Sequence, residues 1–98
     1  MTPEKILLAC EKYKGFLAGY KPIKFPTAEL VQSLERDCRD YNREKSLQHA
    51  KWMCTIIEEQ VSEGAYSKAE RWLCFIQGVL WMNGVCTIDE MRDDNREG

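Results

Sequence analysis

The chain has 98 residues and a mass of 11.5 kDa, which suits one domain, because single cores organise between about 50 and 200 residues. Its 14 Lys and Arg residues against 16 Asp and Glu residues leave a net charge of −2, which argues against a general nucleic-acid binder. The longest uncharged run, residues 72–88, is shorter than the ~20 apolar residues of a bilayer span, and Glu4 and Lys5 interrupt any signal peptide. We therefore expect a helical protein without a membrane segment.

The cysteine pattern predicts reduced thiols in a core rather than a disulfide framework or a metal site. The count of five is odd, and no two cysteines have the two-residue spacing of zinc and redox sites. His49, the only histidine, precedes Cys54 by five residues, so the two side chains do not converge on a helix. We expect no metal and no cofactor, and a reducing cytoplasmic setting.

The first predicted helix begins at Thr2 and Pro3, an N-cap residue followed by a favoured first helical residue. Apolar residues then recur every three or four positions and define one buried face: Ile6, Cys10, Tyr13, Leu17 and Tyr20. Two prolines place residues 21–26 in a loop, whose Ile23 and Phe25 we expect to fold onto the core.

Two further helices are predicted in the middle of the chain. The second starts at Thr27 and carries one narrow apolar stripe: Leu30, Val31, Leu34, Cys38 and Tyr41. The third has its core stripe at Leu47, Ala50, Met53, Cys54, Ile57 and Val61. Gly64 is a candidate C-terminal cap for the third helix, because glycine adopts left-handed backbone angles at little cost.

The last two predicted helices each begin at a capping box. Residues 67–70 (Ser-Lys-Ala-Glu) start the fourth helix, which runs toward Gly84, and residues 87–90 (Thr-Ile-Asp-Glu) start a short fifth helix anchored by Ile88 and Met91. Residues 93–98 are charged and are expected to fray. The sequence thus predicts an all-α, single-domain bundle of four to five helices over residues 1–98.

The fourth predicted helix is apolar on all sides, which leaves two interpretations open. It is either the central helix of a monomer, or its outer face, with Phe75, Trp81 and Met82, is left for a second chain, as in a homodimer. We favour the second chain, because a domain of this size buries only about 60% of its unfolded surface. Gly78 on that face would permit close helix approach.

Trp52 and Ile56 on the third helix suggest a further contact surface. They lie one turn apart and roughly opposite the core stripe, beside His49 and Gln60. Tryptophan is enriched in the residues that dominate protein interfaces. The alternative is that the loop with Ile23 covers the pair.

The charged clusters suggest weaker hypotheses. Arg36, Arg39 and Arg43 share a helix face that would suit phosphates, either in an oligomer that sequesters a small ligand or nucleotide, or in a nucleic-acid accessory protein. A solvated face of salt bridges is the simpler interpretation, because Glu35 precedes Arg39 by one turn.

The acidic end of the chain carries four carboxylates, at Asp89, Glu90, Asp93 and Asp94. These charges would repel phosphates and argue against sequence-specific DNA binding, but they would suit a basic patch on a protein partner. The simpler alternative is that they stabilise the start of a helix through its dipole. No nucleophile elbow, phosphate-binding loop or local His–carboxylate constellation appears, so we expect a non-enzymatic protein.

Residues 68–96 carry a resemblance. The order Arg71-Trp72-Leu73, Gln77-Gly78, Gly84 and then residues 87–90 is similar to the C-terminal end of small proteins encoded by tailed bacteriophages and prophages. The resemblance implies a phage accessory protein in the cytoplasm of a bacterial host. It implies stoichiometric binding to a host or phage protein, such as inhibition of a defence complex (an anti-CRISPR role, for example) or of a nucleic-acid-processing complex.

Overall fold

The computed structural model describes residues 1–24 and 43–96. Within these ranges the chain forms helices and no strand, which confirms the predicted all-helical, single-domain class. The helices are α1 (Pro3–Phe16), α2 (Arg43–Ser62), α3 (Tyr66–Met82) and α4 (Ile88–Asn95). The second predicted helix, from Thr27, lies outside the described residues, so α2, α3 and α4 correspond to the third, fourth and fifth predicted helices.

Helix α1 begins as its sequence predicts. The Thr2 hydroxyl accepts a hydrogen bond from the Lys5 backbone N–H at 3.2 Å, and Pro3 occupies the first helical position, where no N–H is needed. The predicted apolar stripe is buried from Ile6 to Leu17, and Tyr20 packs partly against it. Local sequence therefore determines both the start and the inward face of this helix.

Two glycine turns end α2 and α3 in the same way. Gly64 and Gly84 have φ values of +82° and +71°, in the left-handed region that glycine favours. After each glycine, the next backbone N–H bonds back to the helix, from Ala65 to the Gln60 carbonyl at 2.8 Å and from Val85 to the Leu80 carbonyl at 2.9 Å. Both turns are therefore Schellman caps, and the predicted cap at Gly64 is confirmed.

The predicted capping box at Ser67 is wrong. Helix α3 starts at Tyr66, its N-cap residue is Ala65, and no side chain caps it. The Gly64 turn leaves only residues 63–65 between two helices, so helical bonding begins at once, with the Ala69 N–H on the Ala65 carbonyl at 3.0 Å. The second predicted box is confirmed at its cap, because the Thr87 hydroxyl accepts from the Glu90 N–H at 3.1 Å.

Helices α2 and α3 pack side by side, and α1 lies against both of them. The core consists of residues that are at most 8% exposed, and they include every member of the stripe predicted for α2. They are Ile6, Ala9, Cys10, Tyr13, Leu17, Leu47, Ala50, Met53, Cys54, Ile57, Val61, Ala69, Leu73, Ile76, Leu80 and Cys86. Because one face of each long helix contributes the core residues, the opposite faces are left for solvent or for another chain.

Helix α4 is attached to α1 and α3 by hydrogen bonds and by one of the two apolar anchors that its sequence predicts. Ile88 is 49% exposed, so it is not an anchor, whereas Met91 packs against the core. The helix continues through Asn95, where Asp94 and Asn95 bond to neighbouring helices, and fraying of residues 93–98 stays a prediction.

Candidate binding surface

The outer side of α3 exposes large apolar side chains along its length. Phe75 is 61%, Trp81 52% and Met82 68% exposed. With Arg71, Cys74 and Gly78, also exposed, they fall within one arc of the helix at about 100° per residue. We call these six residues, Arg71, Cys74, Phe75, Gly78, Trp81 and Met82, the α3 face.

The geometry decides between the two interpretations of this helix. A central helix would be surrounded by protein, yet the α3 face opens to solvent while Leu73, Ile76 and Leu80 on the opposite side are fully buried. A Cβ added at Gly78 would meet no atom of residues 1–24 and 43–96 within 4 Å, so none of these residues obstructs the middle of the face. The interpretation of α3 as an enclosed central helix is therefore wrong.

An aromatic groove of about 350 Å³ borders the first half of the α3 face. It lies between α2 and α3, and its lining is His49, Trp52, Met53, Arg71, Trp72 and Phe75. The Trp52 and Trp72 ring centroids lie 6.3 Å apart, and the His49 ring centroid lies 5.3 Å from that of Trp52. Sequence reasoning missed this groove, because the helical repeat places Trp72 on the same side of its helix as Leu73 and Ile76, which predicts a core residue.

Trp52 and Ile56 are half-buried rather than exposed. The Lys24 ammonium lies 5.5 Å from the Trp52 ring centroid, and the Ile23 N–H donates to the Gln48 carbonyl at 3.2 Å, so residues 23 and 24 border α2 beside the indole. Gln60, expected beside this pair on the surface, is buried. The pair alone is therefore a smaller surface than predicted, and Phe25 lies outside the described residues.

Burial lowers the pKa of His49, the main cause being desolvation of the charged ring. A backbone hydrogen bond with Ile23 opposes this shift, and the charge of Lys24 adds to it. The imidazole is therefore held in its neutral form near pH 7, and Arg71 is the lasting positive charge on the lining of the groove.

The four predicted acidic residues separate into two groups. Asp89 and Glu90 line a second concavity of about 480 Å³ with Trp81 and Ile88, at the other end of the α3 face. We call Ile88, Asp89 and Glu90 the acidic edge. It remains available for a partner and continues the apolar surface of Trp81.

The other two carboxylates bond within the chain. Asp93 pairs with Arg96 at 3.3 Å, an exposed contact of small energetic value. The Asp94 carboxylate accepts from the Tyr13 hydroxyl at 2.7 Å and from the Lys12 ammonium at 3.0 Å. Asp94 therefore has a structural role within the chain, and its contact with a partner stays a prediction.

The basic cluster predicted for anion binding is described only at Arg43. Its guanidinium donates to the Asn83 carbonyl at 3.2 Å, next to the end of α3. Arg36 and Arg39 lie outside the described residues. The one arginine that can be placed thus serves the packing of α2 on α3.

The cysteines provide no metal site within residues 1–24 and 43–96, where no group of three potential ligands converges. Cys10, Cys54 and Cys86 are buried, and Cys74 is exposed on the α3 face. A hydrogen bond with Cys54, followed by burial, raises the pKa of Cys10, and burial raises the pKa of Cys86 to about 11. Cys38 falls outside the described ranges.

None of the helices in the described part of the chain is long and apolar enough to cross a membrane. Comparison with known protein families, curated proteins and solved structures finds no match to this chain. The α3 face, with the aromatic groove at one end and the acidic edge at the other, is accordingly the feature on which a functional interpretation rests.

Proposed function

We propose that this chain is a non-enzymatic bacteriophage accessory protein that acts in the cytoplasm of a bacterial host. It binds a host or phage protein stoichiometrically and inhibits a defence complex or a nucleic-acid-processing complex. The α3 face is its association surface. The observation that supports this proposal is the exposure of Phe75, Trp81 and Met82 on a single side of one helix.

Exposed apolar surface of this kind favours association. Burial of apolar surface contributes roughly 25 cal/mol per Å², and aromatic side chains supply the largest area per residue. Contiguous apolar patches on soluble proteins commonly mark interaction sites, whereas single exposed residues need no explanation. Tryptophan in such a patch is a common hot-spot residue.

The surroundings of the face fit a protein partner better than a small ligand. The aromatic groove and the second concavity are open rather than enclosed, and the charged groups on their linings are Arg71 at one end of the face and the acidic edge at the other. A central apolar patch with charges at its rim is the usual anatomy of a protein interface. A small-molecule site instead buries most of its ligand among convergent polar groups.

Affinity capture from phage-infected cells tests the proposal. The full chain is expected to retain one host or phage protein at a fixed ratio, measured by native mass spectrometry of the eluted complex. Trp81→Ala is expected to reduce that retention, because hot-spot truncation costs about 2 kcal/mol or more.

The matched control is Leu8→Ala, which removes a side chain of similar exposure (60%) from α1 and is expected to retain the partner. Capture of no protein at a fixed ratio would overturn the proposal. Equal loss with Leu8→Ala would also do so, because the α3 face would then have no special part in binding.

A further inference from the structure

We infer that the α3 face packs against the α3 face of a second copy of this chain, antiparallel about a two-fold axis at Gly78, with Arg71 of each protomer against the acidic edge of the other. The inference rests on the proposed function, since it names the chain that covers the same surface. The α3 face then joins the two copies, and the host or phage protein binds the homodimer on surface that remains exposed. Trp81→Ala lowers capture of that protein because it weakens the dimer.

The first argument is the symmetry of the face about Gly78. Phe75 and Trp81 lie three residues before and after the glycine, and Cys74 and Met82 lie four residues before and after it. All four are exposed. In an antiparallel pair centred on Gly78, each Phe75 meets the partner's Trp81 and each Cys74 meets the partner's Met82.

This pairing is self-complementary in shape and chemistry. A two-fold interface requires that when one residue contacts another, the reciprocal contact also forms, and the pattern around Gly78 satisfies that requirement. Two aromatic rings pair, which adds about 0.5–1.5 kcal/mol beyond area burial, and a small side chain faces a long flexible one. A partner of a different sequence would gain nothing from this symmetry.

The second argument is the charge at the two ends of the face. Arg71 and Lys68 are exposed near the start of α3, and Asp89 is exposed just beyond its end. Within residues 1–24 and 43–96, neither Arg71 nor Asp89 forms an ion pair. An antiparallel arrangement puts the basic end of one protomer against the acidic end of the other, whereas a parallel arrangement would put like charges together.

Gly78 leaves space at the axis of the pair. Within the described part of the chain, a Cβ added at Gly78 would contact nothing within 4 Å, so no described residue packs on the glycine. Glycine in a helix interior costs about 1 kcal/mol relative to alanine. A bare backbone at the centre of the face lets two helices approach closely.

The first experiment measures molar mass by light scattering and sedimentation equilibrium across dilution. The full chain is expected to be a dimer that dissociates on dilution. Gly78→Arg is expected to be monomeric and fully helical by circular dichroism, because the new side chain points into open space within the protomer but would occupy the axis. The control Gly15→Arg, at an equally open glycine of α1, is expected to remain dimeric.

The second experiment tests the direction of pairing by charge exchange. Arg71→Glu and Asp89→Arg are each expected to raise the dimer dissociation constant about fivefold, which corresponds to ~1 kcal/mol for an exposed ion pair. The double variant Arg71→Glu/Asp89→Arg is expected to restore it, because the opposite charges again face each other across the axis. Trp81→Ala is expected to raise the constant about 30-fold or more.

A full chain that stays monomeric at every concentration would overturn the inference. A dimer that persists in Gly78→Arg, or charge variants that do not rescue each other, would overturn it as well. The result bears separately on the proposed function. A monomer that still captures a host protein through Trp81 leaves the proposed function standing, and a dimer that captures none removes the proposed function but keeps the inference.

Discussion

A buried hydrogen-bond network joins three helices through the Tyr13 hydroxyl. The hydroxyl donates to Asp94 at 2.7 Å and accepts from the Gln77 amide at 2.9 Å, and the Gln77 and Asn95 amides bond to each other through both their nitrogen and their oxygen atoms. Burial, and then the Asp94 carboxylate, raises the pKa of Tyr13. The hydroxyl therefore stays protonated and available as a donor throughout the neutral range.

Tyr13→Phe is expected to lower the free energy of unfolding by about 1–3 kcal/mol, because Asp94 and Gln77 each lose their hydrogen bond to the hydroxyl. Asp94 keeps Lys12 and Gln77 keeps Asn95 as a partner. Urea unfolding followed by circular dichroism measures the loss. Tyr66→Phe is the control, since that residue is 49% exposed and water replaces its bonds. Equal stability of Tyr13→Phe and the parent chain would show that the network contributes nothing.

His49 is expected to make stability fall as the pH drops below about 6.5, the ordinary pKa of histidine. The pKa of His49 is lower in the folded chain, so between the two pKa values the unfolded state binds more protons than the folded state. A fall in pH therefore favours unfolding. The stabilisation from neutral His49 is fully present above about pH 6.5, and it decreases as the pH falls toward the pKa of His49 in the folded chain. Unfolding free energies between pH 7.5 and 5.5 are expected to slope less in His49→Gln, and an unchanged slope would contradict the assignment.

At the level of elements, backbone conformation matters more than side-chain caps at the ends of α3. The helix starts without a side-chain cap after the Gly64 turn and ends in the matching Gly84 turn. The glycine of each turn has a positive φ, which an L-residue with a Cβ adopts only at a cost. The two turns thereby set where α3 begins and ends, and with it the position of the α3 face.

Gly84→Ala is expected to destabilise the protein by about 1–2 kcal/mol through backbone strain at φ +71°. Gly78→Ala, in the interior of the same helix, is expected to stabilise the protomer by up to about 1 kcal/mol, because alanine favours helix and the site is open. Thermal unfolding of dilute samples compares them. The same sign of change in both variants would contradict this account.

At the scale of the whole molecule, burial separates the four described thiols into two classes. Cys10, Cys54 and Cys86 are enclosed between helices, and their accessibility depends on opening of the fold, whereas Cys74 is exposed on the α3 face. The thiolate is the reactive form of cysteine. Because the pKa values of Cys10 and Cys86 are raised, a smaller fraction of these two thiols is ionised at neutral pH.

Labelling with a thiol reagent at pH 7, resolved by peptide mass mapping, is expected to modify Cys74 first. The three buried thiols are expected to react only at the rate of unfolding. Cys74 labelling is also expected to slow as protein concentration rises, because the second copy covers the residue. Labelling of Cys10 or Cys54 as fast as Cys74 would show that the core is open.

Sequence patterns predicted those features of the helices that depend on neighbouring residues. The Thr2 cap, the stripe from Leu47 to Val61 and the Gly64 turn depend on residues within a few positions of each other, and all were predicted correctly. The capping box predicted at Ser67 is wrong, because the Gly64 turn at the end of α2 makes α3 start earlier, at Tyr66. Local patterns did not predict the bonds of Asp94, because the residues that hold it lie about 80 positions away in sequence.

By itself, the sequence determined an all-helical class, the inward faces of α1 and α2, and an excess of apolar residues around α3. Periodicity reports these features, because a helix repeats every 3.6 residues and the burial pattern follows it. Only the tertiary structure decided which side of α3 stays open, that Asp94 bonds to Tyr13 while Asp89 faces solvent, and that Trp52 and Trp72 form one groove. These depend on which helices lie side by side, and no local pattern encodes the distance between residues that are remote in the chain.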